Sequence, residues 1–238
     1  MQFWEFSYPN GNKGVAKIDQ VEYDKLEAKH GDMMPRLRMK RIPDVPQPVL
    51  LGGSSVKDFT WTWYNQCLMQ DRVLNLFEDQ GFTGYKTHPV SAKWKRRPKN
   101  NMDKSTESSL VEIPKLWELI PIGWGGVAPE ESGMHLIDIR LSDGRHTYSK
   151  YTNPSKLIDE SQWDGSDFFI LWPLPGRIFV TDRVAQYIKN ENLKGSILTR
   201  VQDLLWPGGI GDDCRPGNLH YFLPEPRAKE IGEPLGIY

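Results

Sequence analysis

The chain carries one short unit twice, and that repetition constrains its fold more than any other feature. Gln70 to Gly84 reads QDRVLNLFEDQGFTG and Thr181 to Gly195 reads TDRVAQYIKNENLKG, an offset of 111 that also sets Trp61 against Trp172. Over the 28 positions from Lys57 to Gly84, five are identical to their partners, where average composition gives roughly two. The chemistry of the match says more than the identity. Val73, Leu76 and Phe77 form an i, i+3, i+4 apolar stripe, and Val184, Tyr187 and Ile188 fall at the same places. That spacing predicts two amphipathic helices, over 71–80 and 182–191. Thr181 is suited to cap the second, with Asp182 in the first turn where the helix dipole favours a carboxylate. Gly81 and Asn192 stand just past the stripes, and these two residue types best tolerate the left-handed backbone that ends helices. Each helix then passes through Phe82 or Leu193 and a glycine, Gly84 or Gly195, into a strand.

Strand candidates also precede both helices: Phe59 to Trp63 in the first copy, and Phe168 to Trp172 with Ile178 to Val180 in the second. The expectation is an α+β fold with mixed or antiparallel sheets, few helices, and a strand–helix–strand unit used twice. Two unrelated strand–helix pieces are the alternative to duplication. The natural division puts residues 1–112 in an N-terminal half and 113–238 in a C-terminal half, each with one copy. A length of 238 residues fits one large domain or two small ones at about 100–200 residues each.

Composition supports a packed core. With Gly counted and Tyr left out, apolar residues are about 43%, just under the globular norm of about 45–50%. Extensive disorder is excluded. Nine tryptophans need a core or an interface to cover them. Gly and Pro together make 39 residues, about 16% against a usual ~12%, so the chain turns often. Phe3, Trp4 and Phe6 predict a strand that ends at Tyr8-Pro9-Asn10-Gly11. Pro43 to Pro48 holds three prolines and reads as a linker. Arg36, Arg38, Lys40 and Arg41 alternate with Leu37 and Met39, a strand with one charged face that is solvated or, less economically, a phosphate site. Residues 95 to 108 read as a polar, basic surface loop. Ile120 to Gly126 has glycines but neither GxxxxGK[ST] nor GxGxxG, so it is not a phosphate cradle.

Thirty Lys and Arg against 31 Asp and Glu give a net charge of −1, which argues against a nucleic-acid partner. Met1-Gln2-Phe3-Trp4-Glu5 has no basic n-region and no apolar h-region, and no apolar run approaches about 20 residues, so neither signal peptide nor membrane partner is expected and the cytoplasm is the expected location. Cys67 and Cys214 are the two cysteines, with no CxxC pair, so no cofactor and no zinc are expected. Cys67 reads as a packed thiol.

Two places offer chemistry. Asp159, Glu160, Asp164 and Asp167 surround Trp163. A general acid–base pair of a hydrolase, an acidic surface anchored by an aromatic for docking a basic protein, and a solvated loop around a core tryptophan all fit that segment. His135 and His146 flank a hairpin expected at Asp143-Gly144. With Asp138 they make a candidate hydrolytic metal site, or simply exposed strand histidines.

The run Tyr151-Thr152-Asn153-Pro154-Ser155-Lys156-Leu157-Ile158-Asp159, followed by Trp163-Asp164-Gly165-Ser166-Asp167-Phe168-Phe169 and continuing through Pro173-Leu174-Pro175, Ile178 to Val184 and Leu193-Lys194-Gly195, resembles the double-CXXCG motif immunity proteins of myxobacteria. The resemblance covers roughly residues 115 to 238. That family is tied to swarming-inhibition toxins and to polymorphic-toxin immunity, which implies an immunity protein, not an enzyme, whose partner is a cognate protein toxin. The namesake cysteines are absent: at the place of one CXXCG this chain has Arg140-Leu141-Ser142-Asp143-Gly144. Thiolate-bound zinc therefore does not carry over. On this reading Asp159, Glu160, Trp163, Asp164 and Asp167 are the candidate partner-binding residues, with a hydrolase at the same carboxylates or at His135/His146 as the alternative.

Overall fold

The structure, a computed structural model, describes residues 1–9, 16–30, 45–52, 55–62, 66–95, 112–140, 145–205, 213–214 and 225–235. The first part of the chain forms β1 (Phe3–Ser7), β2 (Ala16–Ile18), α1 (Gln20–His30), β3 (Gln47–Leu51), β4 (Phe59–Trp61), β5 (Cys67–Gln70), α2 (Asp71–Asp79) and β6 (Tyr85–Trp94). Next come β7 (Leu116–Pro121), β8 (Gly123–Val127), α3 (Pro129–Ser132), β9 (Leu136–Arg140), β10 (Arg145–Tyr148) and β11 (Ile158–Asp159). The last are β12 (Phe168–Trp172), β13 (Leu174–Thr181), α4 (Asp182–Asn190), β14 (Ile197–Arg200), β15 (Asp213–Cys214) and α5 (Glu225–Leu235). Among the described residues these strands make two six-stranded sheets, ordered β2-β3-β6-β7-β5-β4 and β11-β8-β12-β13-β1-β14, and a small sheet β15-β10-β9. Each large sheet is mixed, with one parallel pair: β3 with β6, and β12 with β8. The fold is α+β.

The repeated unit is present twice. β4, β5, α2 and β6 correspond to β12, β13, α4 and β14. Both helices begin at the matched Asp71 and Asp182. Both stop at a left-handed residue, Gly81 with φ 62° and Asn192 with φ 54°, which uncoils the chain at the end of the apolar stripe. The stripe buries Val73, Leu74 and Phe77 in one helix and Val184, Ala185 and Ile188 in the other, with Leu76 and Tyr187 packed at its margin. Gly84 (φ 80°) and Gly195 (φ 101°) form a reciprocal pair: a Cβ on Gly84 would collide with the Phe168 carbonyl of the other unit, and one on Gly195 with the Phe59 carbonyl.

Each sheet needs one more strand, and these two strands are exchanged between the units. β7 lies between β5 and β6, and β1 lies between β13 and β14. Gln70 opposes Leu116 as Thr181 opposes Phe3, and Met69 opposes Trp117 as Val180 opposes Trp4. On the other side His88 opposes Glu118 as Thr199 opposes Glu5. Thus β1, which leads into the first unit, completes the sheet of the second, while β7, which leads into the second, completes that of the first. The 112/113 boundary lies between β6 and β7, and β1 crosses it.

The main core is built from both units at once. Phe6, Phe59, Trp61, Met69, Phe77, Phe168, Val180 and Ile188 lie in one buried cluster, with Phe6 edge-on to Phe59 at 5.0 Å and Phe77 5.5 Å from Phe168. Burying a side chain such as Phe77 contributes about 1.5–3 kcal/mol. A second cluster (Phe3, Leu157, Phe169, Leu171, Leu174, Phe179) lies behind the β12–β13 sheet, and a third (Ala16, Val49, Leu51, Leu68, Leu116) behind the other.

Three expectations need correction. The ladder pairs Phe59 with Met69 and Phe168 with Val180, so the first strand of the unit matches at an offset of 109 while the helices match at 111. The second hairpin has two extra residues, Trp61 has Ile170 as its counterpart, and the Trp61–Trp172 match is not structural. Thr181 occupies the N-cap, but its hydroxyl caps nothing; it donates to Asp167 instead. Gln47 and Pro48, read as linker, open β3 and are buried. The turn at Asn10-Gly11, the basic stretch 36–41 and most of the loop 95–108 lie outside the described residues.

Candidate functional site

The five residues singled out from the sequence stand close together, from the end of β11 to the start of β12, and each makes contacts within the fold. Asp159 ends β11 and caps the 3-10 turn Glu160–Gln162: it accepts from the Ser161 N–H at 2.9 Å, the Ser161 hydroxyl at 2.6 Å and the Gln162 amide at 2.7 Å. The Ser161 hydroxyl first, then the Gln162 amide and the Ser161 N–H, hold its carboxyl below the usual aspartate range. A general acid needs the opposite shift. Glu160 is paired with the Met1 ammonium at 2.6 Å, more than half exposed. Asp164 accepts from the Trp124 and Ser166 N–H groups and pairs with Arg227 of α5 at 2.8 Å.

Trp163 is half-buried. Its ring meets Phe3 edge-on at 5.1 Å, and its indole N–H donates to the Ser166 carbonyl at 3.1 Å. The indole therefore covers the second core from outside while part of its own surface stays exposed. Asp167 is 7% exposed, which removes it from any acidic surface. Its carboxylate accepts from the Thr83 N–H (3.0 Å), the Thr83 hydroxyl (3.3 Å) and the Thr181 hydroxyl (2.9 Å), and Arg183 stands 3.7 Å away.

Asp58 explains what Asp167 is for. It is the counterpart at the offset of 109: its carboxylate accepts from the Lys194 N–H at 2.7 Å and pairs with Arg72. The backbone repeats the arrangement, with Phe59 N–H donating to Lys194 O as Phe168 N–H donates to Thr83 O. Each aspartate pins the strand entrance of its own unit to the helix exit of the other. A glutamate is repeated too, buried in one unit and part-buried in the other. Glu118 of β7, 2% exposed, accepts from the Gln66 amide at 3.1 Å, and Glu5 of β1 from Arg177 at 3.2 Å. Gln66 and Arg177 are matched positions. The signal for these pairs is in the sequence as the Trp-Glu dipeptides Trp4-Glu5 and Trp117-Glu118, visible at an offset of 113.

The side chains of Asp138 and His146 lie outside the described residues, and only their backbone register is given. His146 opposes Ile139, and Asp138 opposes Thr147. His135 precedes β9 and exchanges backbone and side-chain hydrogen bonds with Ser149, its Nδ1 lying 3.1 Å from the Ser149 hydroxyl oxygen. Among the described residues no group of three His, Cys, Asp or Glu side chains is placed to hold a metal ion. Cys67 is a buried cysteine in β5. Asp143-Gly144 lies outside the described residues. No helix of the described residues is long and apolar enough to cross a membrane.

Comparison with models of known protein families finds no match to this chain, and comparison with curated proteins finds none at a significant level.

Proposed function

We propose that this chain is an immunity protein that binds a cognate toxin in the cytoplasm and blocks it by occupying its surface. One observation carries the reading: each carboxylate of the Asp159–Asp167 segment is engaged in capping, pinning or pairing within the fold. That leaves the segment poor in groups for proton transfer and supports a protein that acts by shape and charge. The sequence resemblance over residues 115–238 supplies the kind of partner. Asp159, Glu160 and Asp164 keep an acidic character on one stretch of surface, suited to steering a basic toxin domain on approach; Asp167 and Trp163 hold that stretch in place from behind.

The test is co-expression of the reading frame adjacent to this gene, with and without this chain, scored by growth and by co-purification. Growth rescue with a stable complex is the expected outcome. A neighbour that is harmless alone, or toxicity unaffected by the folded chain, overturns the proposal.

A further inference from the structure

We infer that the bulged edge strand β9 is a docking site for a basic protein surface, with Leu136 and Ile137 as its apolar anchor and the carboxylates of α3 and β11 as its charged rim. The docking site rests on the immunity reading and gives the toxin a place to land. Interfaces of this kind draw most of their affinity from a few large side chains that lose their water on contact. The Asp159–Asp167 stretch supplies charge, but its large apolar group, Trp163, is already packed against Phe3 and the second core. Leu136 and Ile137 supply what that stretch lacks. They are 42% and 58% exposed, and among the described residues they are the only large exposed apolar side chains consecutive in sequence. Single exposed apolar residues are ordinary, whereas contiguous ones mark contact sites.

The backbone decides how a partner meets them. Among the described residues β9 is an outer strand of the sheet β15-β10-β9. Its ladder sets Asp138 against Thr147 and Leu136 against Tyr148, which leaves Ile137 as an extra residue with no partner across the pair. Such a bulge bends the strand and re-aims a side chain. At a sheet edge it also discourages the addition of another strand. The partner therefore meets side chains here, through an apolar recess that takes Ile137 and Leu136.

The surrounding charge sets the sign of that partner. Glu130 and Glu131 of α3 are exposed, and neither is held in an ion pair among the described residues. They precede Leu136 by six and five residues, which at most about 3.6 Å per residue places them within one interface footprint. The β8–β11 ladder adds Asp159, which opposes Gly126 just ahead of α3. From Ala128 to Glu160 the chain carries six carboxylates against four Lys and Arg, so the rim attracts a positive surface and repels a negative one.

The test mixes the purified product of the adjacent reading frame with the full-length chain and measures binding kinetics. Ile137→Asp should weaken the complex at least about 30-fold, mainly by faster dissociation. Glu130→Lys with Glu131→Lys should slow association several-fold at low salt and little at high salt. Val21→Asp, on an equally exposed apolar residue of α1, should bind as the unmutated chain does. Thermal melts confirm that each variant is folded, and Leu136→Ser with Ile137→Ser replaces the aspartate if that one is not. Hydrogen exchange of the unmutated complex should slow across residues 130–137. A complex that forms with Ile137→Asp within about threefold of the unmutated affinity overturns the docking site and leaves the immunity reading standing. So does slowed exchange that spares residues 130–137, or a dimer of the chain alone that Ile137→Asp dissolves. Absence of any complex with the unmutated chain overturns the immunity reading, and the docking site with it.

Discussion

Replacing Asp167 by Ala tests whether the central acidic residue of the candidate surface belongs to the fold. The side chain is 7% exposed and accepts three hydrogen bonds, at 3.0, 3.3 and 2.9 Å. Alanine leaves the Thr181 hydroxyl without its acceptor in the interior, at about 1–3 kcal/mol for an unsatisfied buried group, and removes the bond from the Thr83 N–H, which belongs to an exposed residue and counts for about 0.5–1.5 kcal/mol. The Thr83 hydroxyl is free to turn elsewhere. Arg183 is more than half exposed at 3.7 Å, so its share is about 0–1 kcal/mol. The expected loss is therefore about 2–5 kcal/mol, dominated by the hydrogen bonds. Asp167→Asn keeps one acceptor and should lose about half as much. Asp58 keeps the backbone bond and the arginine pair but receives no hydroxyl donor, so Asp58→Ala should cost less than Asp167→Ala, about 1–3 kcal/mol, and Arg183→Ala less again. Chemical denaturation followed by tryptophan fluorescence measures all four. A loss under about 1 kcal/mol for Asp167→Ala in a protein with an unchanged denaturant slope would refute the pinning argument.

Other outcomes follow from the same geometry. Gly84→Ala and Gly195→Ala should each cost about 2–5 kcal/mol, from a left-handed backbone and a collision with a carbonyl, whereas Gly81, with open space around it, should tolerate Ala for about 1 kcal/mol; thermal melts separate the three. Phe6→Ala should cost about 3–5 kcal/mol, read by the same denaturation curves. Burial, and then the charge of Glu78, pushes the Tyr85 hydroxyl up to about 12. The unfolded chain ionises near 10, so the Tyr85 contribution is intact below pH 10 and is lost as pH rises toward 12; Tyr85→Phe should flatten that alkaline loss in stability measured against pH. The Asp71 carboxyl is held low, first by the Trp117 indole N–H and then by Lys115. Its contribution is present above the ordinary aspartate pKa and fades only as pH falls below it, so Asp71→Asn should weaken the pH dependence on the acid side.

The helical stripes, the stop residues and the two glycines were legible because each is a local pattern: spacing 3, 4 and a residue type that tolerates positive φ. The strand exchange was not, because period-two strands such as Phe3–Ser7 carry no label of which sheet completes them. Its trace was the Trp-Glu pair, too short to stand out until the ladders showed Trp4 and Trp117 in equivalent places. The tryptophan match at 61 and 172 misled for the complementary reason. An identical large residue at a constant offset ignores the two residues inserted in the second hairpin. For the candidate site, charge density was readable but direction was not. Asp159, Glu160 and Asp164 look outward while Asp167 turns in toward Thr83 and Thr181, and nothing in the run DESQWDGSD distinguishes the inward one. The repeat did hold the answer, since Asp58 stands at the matching place ahead of Phe59.

Because β1 is completed by β13 and β14, it cannot be paired when it is made. About 190 residues separate it from the end of its slot, so at about 5–20 residues per second it waits roughly 10–40 s during synthesis. Throughout that time Phe3, Trp4 and Phe6 have no sheet to enter, and the first unit lacks β7 for much of the same interval. That aromatic strand must stay shielded until the ribosome has passed Arg200, and slow codons between β7 and β14 would lengthen the exposure.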